Sequence, residues 1–423
     1  MADWSQLPKD LLHLISQKLN SQFYQLRFRS VCSSWRSSTP PNHHHHLNLP
    51  PKFPSPSNND DSTNNDDSTF PLSKRTLFLI SPPPNQPTPQ PWLIKIGPDS
   101  RDLTRLWHPL SRDKQLPIHF PNFIDFNHLP IVDLGCEFVI GNFPSQSSSL
   151  PLNNTSLYME KVVVFDADTW QIGKGRCSVL LTIHISGKLA VFRCGDERHD
   201  ENSDAKCDEK WMIIPDMLTP YDDVCVYKGR PVAVDCTGRA VVVGPDLSVE
   251  MVAEPVFGGD KKFLVESEGE LLLVDKYLSC LVMNCLRDDG NGNGDGDGNG
   301  NGNGDGDGDG DGDGEFYEIG RERAVRFDVF RLDEKEKKWV EVKSLEDRVL
   351  FLGEDCAFSA SAMDLRIGYG NCVIFRDDVY SDSGSSELGV GVFQLGQFRI
   401  APLSCFPCYS MFFWPPPEWI GLH

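Results

Sequence analysis

The chain has 423 residues and a formal net charge of −21, because 61 acidic residues outnumber 40 basic ones. Phosphates repel such a chain, so a nucleic-acid-binding surface is not expected as its main function. The sequence shows neither a secretion signal nor an apolar run long enough to span a bilayer. We therefore expect a protein of the nucleus and/or the cytoplasm, with no membrane partner and with its 13 cysteines as buried free thiols.

Residues 1–40 are predicted to form a small helical module. Pro8 suits a first helical turn, and apolar residues follow it at helical spacing on more than one face. They are Leu7, Leu11, Leu12, Leu14, Ile15 and Leu19, and a second apolar set comprises Phe23, Leu26, Phe28, Val31, Cys32 and Trp35. A unit of about 40 residues rarely buries so much apolar surface by itself. The surplus therefore predicts a docking module.

Two motifs in this module resemble the F-box. They are Leu7-Pro8-x-x-Leu11-Leu12-x-x-Ile15 and Phe28-Arg29-Ser30-Val31-Cys32-x-x-Trp35-Arg36. In that family three helices bind a Skp-type adaptor, which links the protein to a cullin-RING ubiquitin ligase. The resemblance implies an adaptor-binding surface that is formed or supported by Leu7, Pro8, Leu11, Leu12, Ile15, Val31, Cys32 and Trp35. The alternative is an ordinary helical cap on the following domain.

The charge of the module agrees with such a partner. Its basic residues outnumber its acidic ones, with Lys9, Lys18, Arg27, Arg29 and Arg36 against Asp3 and Asp10. The resemblance implies an acidic adaptor, and opposite charge speeds the encounter of two proteins.

Residues 41–70 are predicted to be a flexible linker. They contain a run of four histidines at 43–46, paired prolines and an Asn/Asp/Ser/Thr tract. Such a composition cannot bury enough apolar area to offset the entropy of ordering. The histidine run is interpreted as solvated, because no second cluster of ligands accompanies it.

Residues 71–410 are predicted to form an all-β domain, so the fold class is a small all-α module followed by an all-β domain. Short runs rich in Val, Ile, Phe, Leu and Tyr are bounded by Gly, Pro, Asp or Asn. Tight turns are predicted at 185–188, 235–239 and 267–270. A loose repeat of strand, turn and strand favours a β-propeller. A two-sheet sandwich is the alternative, although so many residues are too many for one.

A second resemblance covers this domain. Its signature is Phe351-Leu352-Gly353-Glu354-Asp355-Cys356-Ala357-Phe358-Ser359-Ala360-Ser361-Ala362-x-Asp364, with Gly370 to Asp378 and the earlier Trp107-His108-Pro109-Leu110-Ser111-Arg112. These segments resemble a plant F-box family whose C-terminal domain is regarded as a kelch-like β-propeller. That family has Asn where this chain has His108. It also differs around 363–367 and lacks the insertion at 289–314.

The insertion at 289–314 alternates Gly with Asn or Asp. Asp307, Asp309, Asp311, Gly312 and Glu318 match the spacing of an EF-hand loop. Any Asp-Gly repeat followed by a Glu meets that spacing, and Gly314 stands where the loop expects an apolar residue. A solvated, disordered loop between blade strands is therefore favoured over a calcium site.

The C-terminal residues offer two weaker features. Cys405-Phe406-Pro407-Cys408 has CxxC spacing, but the surrounding prolines argue against a helix and a redox role. The Pro/aromatic tail at 411–423 is expected to pack on its own domain more readily than to serve as a ligand for a partner.

The resemblances together imply the substrate-recognition subunit of an SCF-type E3 ubiquitin ligase. The module would dock the adaptor and the propeller would bind a target protein. No catalytic residue, metal site or cofactor is assigned, because the sequence contains no phosphate loop, nucleophile elbow or His-Glu-x-x-His. The alternatives are a ubiquitin-independent regulator or scaffold, and a propeller enzyme.

Overall fold

The computed structural model describes residues 7–19, 22–38, 52–54, 69–83, 90–99, 103–117, 129–140, 161–166, 178–184, 186–194, 211–215, 219–283, 319–381, 388–413 and 415–421. Helices come first along the chain and strands follow. No helix in these ranges has the length and hydropathy that a membrane crossing requires.

The N-terminal module consists of α1 (Lys9–Gln17), α2 (Gln22–Ser30) and α3 (Ser33–Ser38). Pro8 lies just before α1, and its carbonyl accepts a hydrogen bond from the Leu12 N–H at 3.1 Å. Proline is favoured at a helix start because its missing N–H would have no partner there. Leu12 is fully buried, and the Phe28 ring packs on the Trp35 ring with their centroids 4.4 Å apart. These contacts are the core of the module.

The β-domain consists of four hydrogen-bonded sheets. The first contains β1 (Lys52–Pro54), β2 (Thr69–Ile80), β3 (Trp92–Pro98), β4 (Thr104–Trp107), β5 (Ile131–Ile140), β6 (Val162–Asp166), β7 (Ser178–Ile183), β8 (Leu189–Cys194) and β9 (Trp211–Ile213). The second contains β10 (Tyr221–Tyr227), β11 (Arg230–Asp235), β12 (Ala240–Val243) and β13 (Val249–Ala253).

The third sheet contains β14 (Lys261–Ser267), β15 (Glu270–Met283), β16 (Ile319–Asp333) and β17 (Lys338–Glu341). The fourth has the order β19-β18-β20-β21-β22, with β18 (Arg348–Leu352), β19 (Ala357–Ser361), β20 (Cys372–Arg376), β21 (Val390–Gln394) and β22 (Arg399–Pro402). A short helix, α4 (Pro407–Ser410), follows β22.

These sheets surround a common axis. The first sheet divides into β4-β3-β2-β5 and β6-β7-β8-β9, which meet at one residue pair, Phe138 with Val162. Strand β5 contacts β6, and contacts continue through β10, β14 and β19 back to β5. The described strands therefore form a ring of five blades, numbered I to V along the chain. The β-propeller favoured by the sequence is confirmed.

Burial of both faces of each blade explains the continuous apolar runs in the sequence. In β11, Ala233 packs towards blade II, beside Leu181, whereas Val232 and Val234 pack towards blade IV, beside Leu264. Successive side chains of a strand point to opposite faces of the sheet. Both faces must therefore be apolar wherever two blades sandwich a third.

The ring has two distinguishable faces. Lys161, Asp222, Lys261 and Ala357 lie at or next to the first residues of β6, β10, β14 and β19, and all of them line one pocket at the axis. These four strands therefore begin on the same side. We call that side the start face and the opposite side the end face.

The tight turn predicted at 267–270 is confirmed. Ser267 pairs with Glu270, and Glu268 and Gly269 between them have φ of 54° and 79°. Positive φ at both central residues is the requirement of a type I′ turn. Lys228 and Gly229 form the equivalent turn in blade III, with φ of 50° and 75°.

The structure differs from the predictions of irregular structure at two places. The linker predicted at 41–70 contains β1, whose residues Lys52 to Pro54 pair with Thr69 to Pro71, because the start of β2 offers them an open edge. The prolines around 405–408 do not prevent a helix, because Pro407 occupies the first turn of α4. The acidic insertion falls between β15 and β16 along the chain, and it lies outside the described residues.

The C-terminal tail packs on blade I. The Leu93 N–H donates to the Phe412 carbonyl at 2.8 Å, and the Trp419 indole N–H donates to the Gln90 carbonyl at 3.1 Å. Trp419 is buried in a cluster with Trp92 and Ile94. The tail therefore joins the last blade to the first.

Trp419→Ala is expected to lower the free energy of unfolding by about 3–5 kcal/mol, because it removes a large buried ring and leaves a cavity. Phe257→Ala is the control, since 78% of Phe257 is exposed; its effect should stay within about 0.5 kcal/mol. Urea unfolding of both variants measures the difference. Equal stability of the two variants would contradict the role of the tail.

Candidate functional site

Helix α1 carries apolar residues on two sides. Leu12 and Ser16 are buried against the module, whereas Leu11, Leu14 and Ile15 are between 41% and 57% exposed. Residues three and four apart lie on one face of a helix, so these three form one outward apolar surface. We call Leu11, Leu14 and Ile15 the α1 stripe. Val31, after α2, is also exposed.

The residues predicted for adaptor binding divide into two groups. Leu11, Ile15 and Val31 are exposed, as is Pro8, while Leu7 and Cys32 are half-buried. Leu12 is fully buried, and Trp35 is half-buried against Phe28. Leu12 and Trp35 can therefore support the surface from inside the module. Adaptor binding by all eight stays a prediction.

Leu14 is an exposed residue that the motif does not include. It lies three positions after Leu11, and it is the most exposed member of the α1 stripe. Its apolar type and its spacing from Leu11 are the sequence signals that identify it.

One side chain of the module contacts the propeller. The Arg27 guanidinium donates to the Leu129 carbonyl at 2.6 Å, just before β5. Arg27 also lies over the Tyr24 ring, 5.5 Å from its centroid. A charged donor to a carbonyl is a strong hydrogen bond, so Arg27 ties α2 to blade I.

The pocket on the start face is lined by charged groups from several blades. The Lys161 ammonium lies 2.9 Å from the Asp223 carboxylate, and Glu354 pairs with Arg376. Asp223 also accepts the Leu264 N–H of the next blade at 2.7 Å. The charged groups of this pocket therefore mainly pair with one another and connect neighbouring blades.

The two segments that carry the propeller resemblance meet where the ring closes. The Glu354 carboxylate of blade V accepts the Arg112 N–H at 2.8 Å and the Ser111 hydroxyl at 3.1 Å. The Cys356 thiol donates to the Pro109 carbonyl at 3.2 Å. A Cβ on Gly353 would lie 3.0 Å from the Leu110 carbonyl oxygen. These segments therefore latch blade V to blade I.

A buried cation lies at the centre of this latch. The Lys95 ammonium lies 2.7 Å from the Glu137 carboxylate and 3.6 Å from that of Asp355, and it donates to the Ser111 carbonyl at 3.0 Å. Arg75 lies 3.9 Å from Glu137. Two carboxylates thus face two cations, as a buried group of charges requires.

This latch also contains a candidate set of metal ligands. Ligand atoms of Glu137, Asp355 and Cys356 lie within 4.8 Å of one another. The Lys95 ammonium already contacts the two carboxylates and balances their charge together with Arg75. The geometry among the described residues therefore fits an ion-pair cluster better than a metal site.

Burial sets the protonation of two groups in the latch. It raises the pKa of Glu137 to about 7, although Lys95 and Arg75 oppose the rise. It lowers the pKa of His108 to about 3, and Lys95, Lys114 and Arg376 lower it further. His108 is therefore neutral, and its Nδ1 accepts the Leu110 N–H at 3.1 Å. An Asn side chain makes the same bond to the N–H two residues on, which accounts for the exchange of Asn for His at this turn.

A three-helix module with an outward apolar stripe, joined to a ring of five blades, is the architecture of F-box proteins with a propeller domain. The F-box domain model matches residues 4–40, and the KIB1-4 beta-propeller model matches residues 70–394. The second match alone covers more than half of the chain. The chain therefore belongs to the F-box proteins whose C-terminal domain is a KIB1-4 β-propeller.

Full-length relatives occur in Arabidopsis thaliana. The chain is 40% identical to F-box protein SKIP23, over 100% of this chain and 97% of that protein. It is 33% identical to F-box protein At2g17036, over 99% of this chain and 95% of the relative. It is 28% identical to F-box/kelch-repeat protein At2g24250, over 92% and 84% of the two lengths.

Glu137→Gln is expected to flatten the pH dependence of stability above pH 6.5. The folded pKa of Glu137 is raised to about 7 from 4.5. Its contribution is fully present below pH 4.5 and is lost as the pH rises through about 7. Melting temperatures between pH 6.5 and 8 should fall for the unaltered chain and change less for the variant. Parallel curves would contradict the assignment.

His108→Asn is expected to improve stability in acid. The folded pKa of His108 is lowered to about 3 from 6.5, so its contribution is present above pH 6.5 and is lost as the pH falls. Asn keeps the bond to the Leu110 N–H and cannot be protonated. Acid unfolding at pH 3–6 should shift to lower pH in the variant, whereas an unchanged midpoint would show that His108 does not titrate there.

Proposed function

We propose that this chain is the substrate-recognition subunit of an SCF-type E3 ubiquitin ligase. The observation that carries the proposal is the α1 stripe, which leaves large apolar side chains exposed on a module otherwise packed around Leu12 and Phe28. A partner that covers the stripe would gain apolar burial at about 25 cal/mol per Å². A Skp-type adaptor, and through it a cullin-RING ligase, is that partner.

The charge of the module supports the same partner. Lys9, Lys18 and Arg36 are exposed around the helices, in a chain that is acidic overall. Because the module is basic and the rest of the chain is acidic, an acidic adaptor would attract the module and repel the rest. The chain would therefore approach with its module facing the adaptor, and the association rate would depend on salt.

The contribution of this chain to ubiquitin transfer is proximity. The module would hold the adaptor while the propeller holds a target protein, so that target lysines reach a high effective concentration near the ubiquitin carrier. The chain would itself form and break no bond. We propose that this happens in the nucleus and/or the cytoplasm.

A propeller enzyme is the weaker candidate. The start-face pocket has titratable groups, but Lys161 is paired with Asp223 and Glu354 with Arg376. A general acid or base needs a group placed towards a substrate, and these groups face one another. A ubiquitin-independent regulator or scaffold would use the same two binding ends.

Leu11→Asp is expected to weaken binding of a Skp-type adaptor at least about tenfold, because it places an unpaired charge in an apolar interface. Leu103→Asp is the matched control, since Leu103 is 49% exposed and Leu11 is 48% exposed. Titration calorimetry with purified adaptor and the full chain measures both. Equal affinities for the two variants would sink the ligase proposal.

A second measurement separates a ligase subunit from a scaffold. In cells that express the Leu11→Asp chain alone, a ligase target should accumulate and lose its ubiquitin conjugates. A target whose level and conjugates stay unchanged, while adaptor binding is lost, would favour the scaffold.

A further inference from the structure

Blade V exposes large apolar side chains on the end face. Met363 is 79% exposed, Phe398 is 73% exposed and Tyr369 is 58% exposed. Met363 and Tyr369 lie in the loop between β19 and β20, and Phe398 lies in the turn between β21 and β22. Strand β19 ends on the end face, and the pairing directions of the blade bring the other loop to the same side. We call Met363, Tyr369 and Phe398 the end-face stripe.

The three residues lie beside strands that are at increasing distance from the axis. Met363 follows the end of β19, Tyr369 lies in the loop before β20 and Phe398 comes just before β22, and the sheet order is β19-β18-β20-β21-β22. Neighbouring strands are about 4.8 Å apart, so β19, β20 and β22 are about 10 Å apart in succession. The Tyr369 ring contacts Tyr409 on the side of the blade that faces blade I, and the Phe398 ring contacts Phe393 on the side that faces blade IV.

Hydrogen bonds hold these loops together. The Asn371 carbonyl accepts the Leu395 N–H at 3.1 Å, and the Asn371 side-chain oxygen accepts the Leu345 N–H at 2.8 Å. The Asn371 N–H donates to the Arg348 carbonyl at 2.8 Å. The stripe is thus preorganised, which lowers the entropy cost of binding.

Phe398 is held in a strained backbone conformation. Its φ is 50°, whereas Gly396, two residues earlier, does not have a positive φ. A bulky residue with positive φ is an outlier, because its Cβ crowds the backbone. The ring contacts Phe393 edge-on at a centroid distance of 6.5 Å and remains mostly exposed, so little burial offsets the strain. Lys337 occupies the same position before β17 with a φ of 49°, so the turn itself sets this conformation, and Phe398 is the residue that holds it with a large exposed ring.

The surroundings of the stripe are nearly balanced in charge. The loops beside it carry Lys343 and Arg366 against Glu346, Asp347 and Asp364, and Arg348 and Arg399 begin the adjoining strands β18 and β22. The chain as a whole has a net charge of −21. An uncharged apolar partner therefore meets no electrostatic opposition here, and a charged one gains no attraction.

The area of the stripe fits a short segment better than a second copy of the chain. A large side chain of this kind offers roughly 150 Å², so three offer roughly 450 Å². A stable protein pair buries about 800 Å² on each partner. A second copy would need much more surface than the stripe supplies.

We propose that the end-face stripe binds a short, uncharged, apolar segment of the target protein. An extended segment advances about 3.3 Å per residue, so side chains three positions apart match the spacing of β19, β20 and β22, which carry these loops. This inference rests on the proposed role as a substrate receptor and names the chemistry that the receptor recognises.

Phe398→Gly separates binding from folding. Glycine accepts a positive φ without strain, so the melting temperature of the variant should be equal to or higher than that of the unaltered chain. The probe is a set of immobilised Gly/Ser nonapeptides that carry Leu, Phe or Met at every third position. Binding of these peptides to the full chain should fall at least tenfold in the variant.

Phe257→Gly is the matched control, because Phe257 is 78% exposed on the start face, in the connection between β13 and β14. It should keep the peptide affinity of the unaltered chain. Equal loss in the two variants, or no binding of any apolar peptide by the unaltered chain, would overturn the proposal. A dimer of the unaltered chain that Phe398→Gly converts to a monomer in sedimentation would overturn it in favour of a second copy.

Adaptor affinity distinguishes the peptide-binding role of the stripe from the proposed role as a ligase subunit. Phe398→Gly should bind a Skp-type adaptor as the unaltered chain does. If the unaltered chain binds the peptides but not the adaptor, the ligase role is contradicted and the role of the stripe stands. If it binds the adaptor but none of the peptides, only the role of the stripe is contradicted.

Discussion

The closure of the ring between blade V and blade I is the constraint on which the rest of the structure depends. A ring of blades leaves two open sheet faces unless its ends meet. Here the Glu354 carboxylate binds the backbone of Arg112, and Lys95 is buried between Glu137 and Asp355. The tail adds apolar contacts of Phe412, Phe413 and Trp419 to the same two blades. Together these contacts close the ring between blade V and blade I.

The other blade junctions use a simpler device. Asp223 accepts the Leu264 N–H of the next blade at 2.7 Å, and Asp377 accepts the Ala324 N–H of its neighbour at 2.9 Å. The Trp339 indole donates to the Gly238 carbonyl at 2.8 Å. Each bond satisfies a buried backbone group that would otherwise cost free energy. Asp377, which belongs to the segment that resembles the propeller family, thus has an architectural role, as do Asp223 and Trp339.

The sequence predicts the type of fold better than its details. Alternating apolar strands between turn residues indicate a propeller, because each blade is buried on both sides. Strand β19 is not evident as a strand, since Ser359 and Ser361 interrupt an apolar pattern whose burial depends on blade I and blade IV. Strand β1 is missed because its pairing with β2 is set by tertiary contact. The blade count depends on which strands meet at the axis, and no local pattern encodes that.

The candidate site shows the same limit. The motif identifies Leu11, Ile15 and Val31, which are exposed in the structure. The motif does not distinguish these exposed residues from Leu12, which faces inward. Leu14 lies outside the motif, although its apolar type and its spacing from Leu11 are visible in the sequence. The end-face stripe is not identified by any motif, since exposure and a positive φ become visible only in three dimensions. Lys95 and Asp355 lie far apart in the sequence and meet only through ring closure.

We propose that the two ends of the molecule bind separate partners and that the module alone contacts the adaptor. Hydrogen exchange of the full chain, with and without a purified Skp-type adaptor, distinguishes the two ends. We expect added protection within residues 7–38 and unchanged exchange in the five blades. Protection in the blades with none in the module, or no protection anywhere, would contradict it.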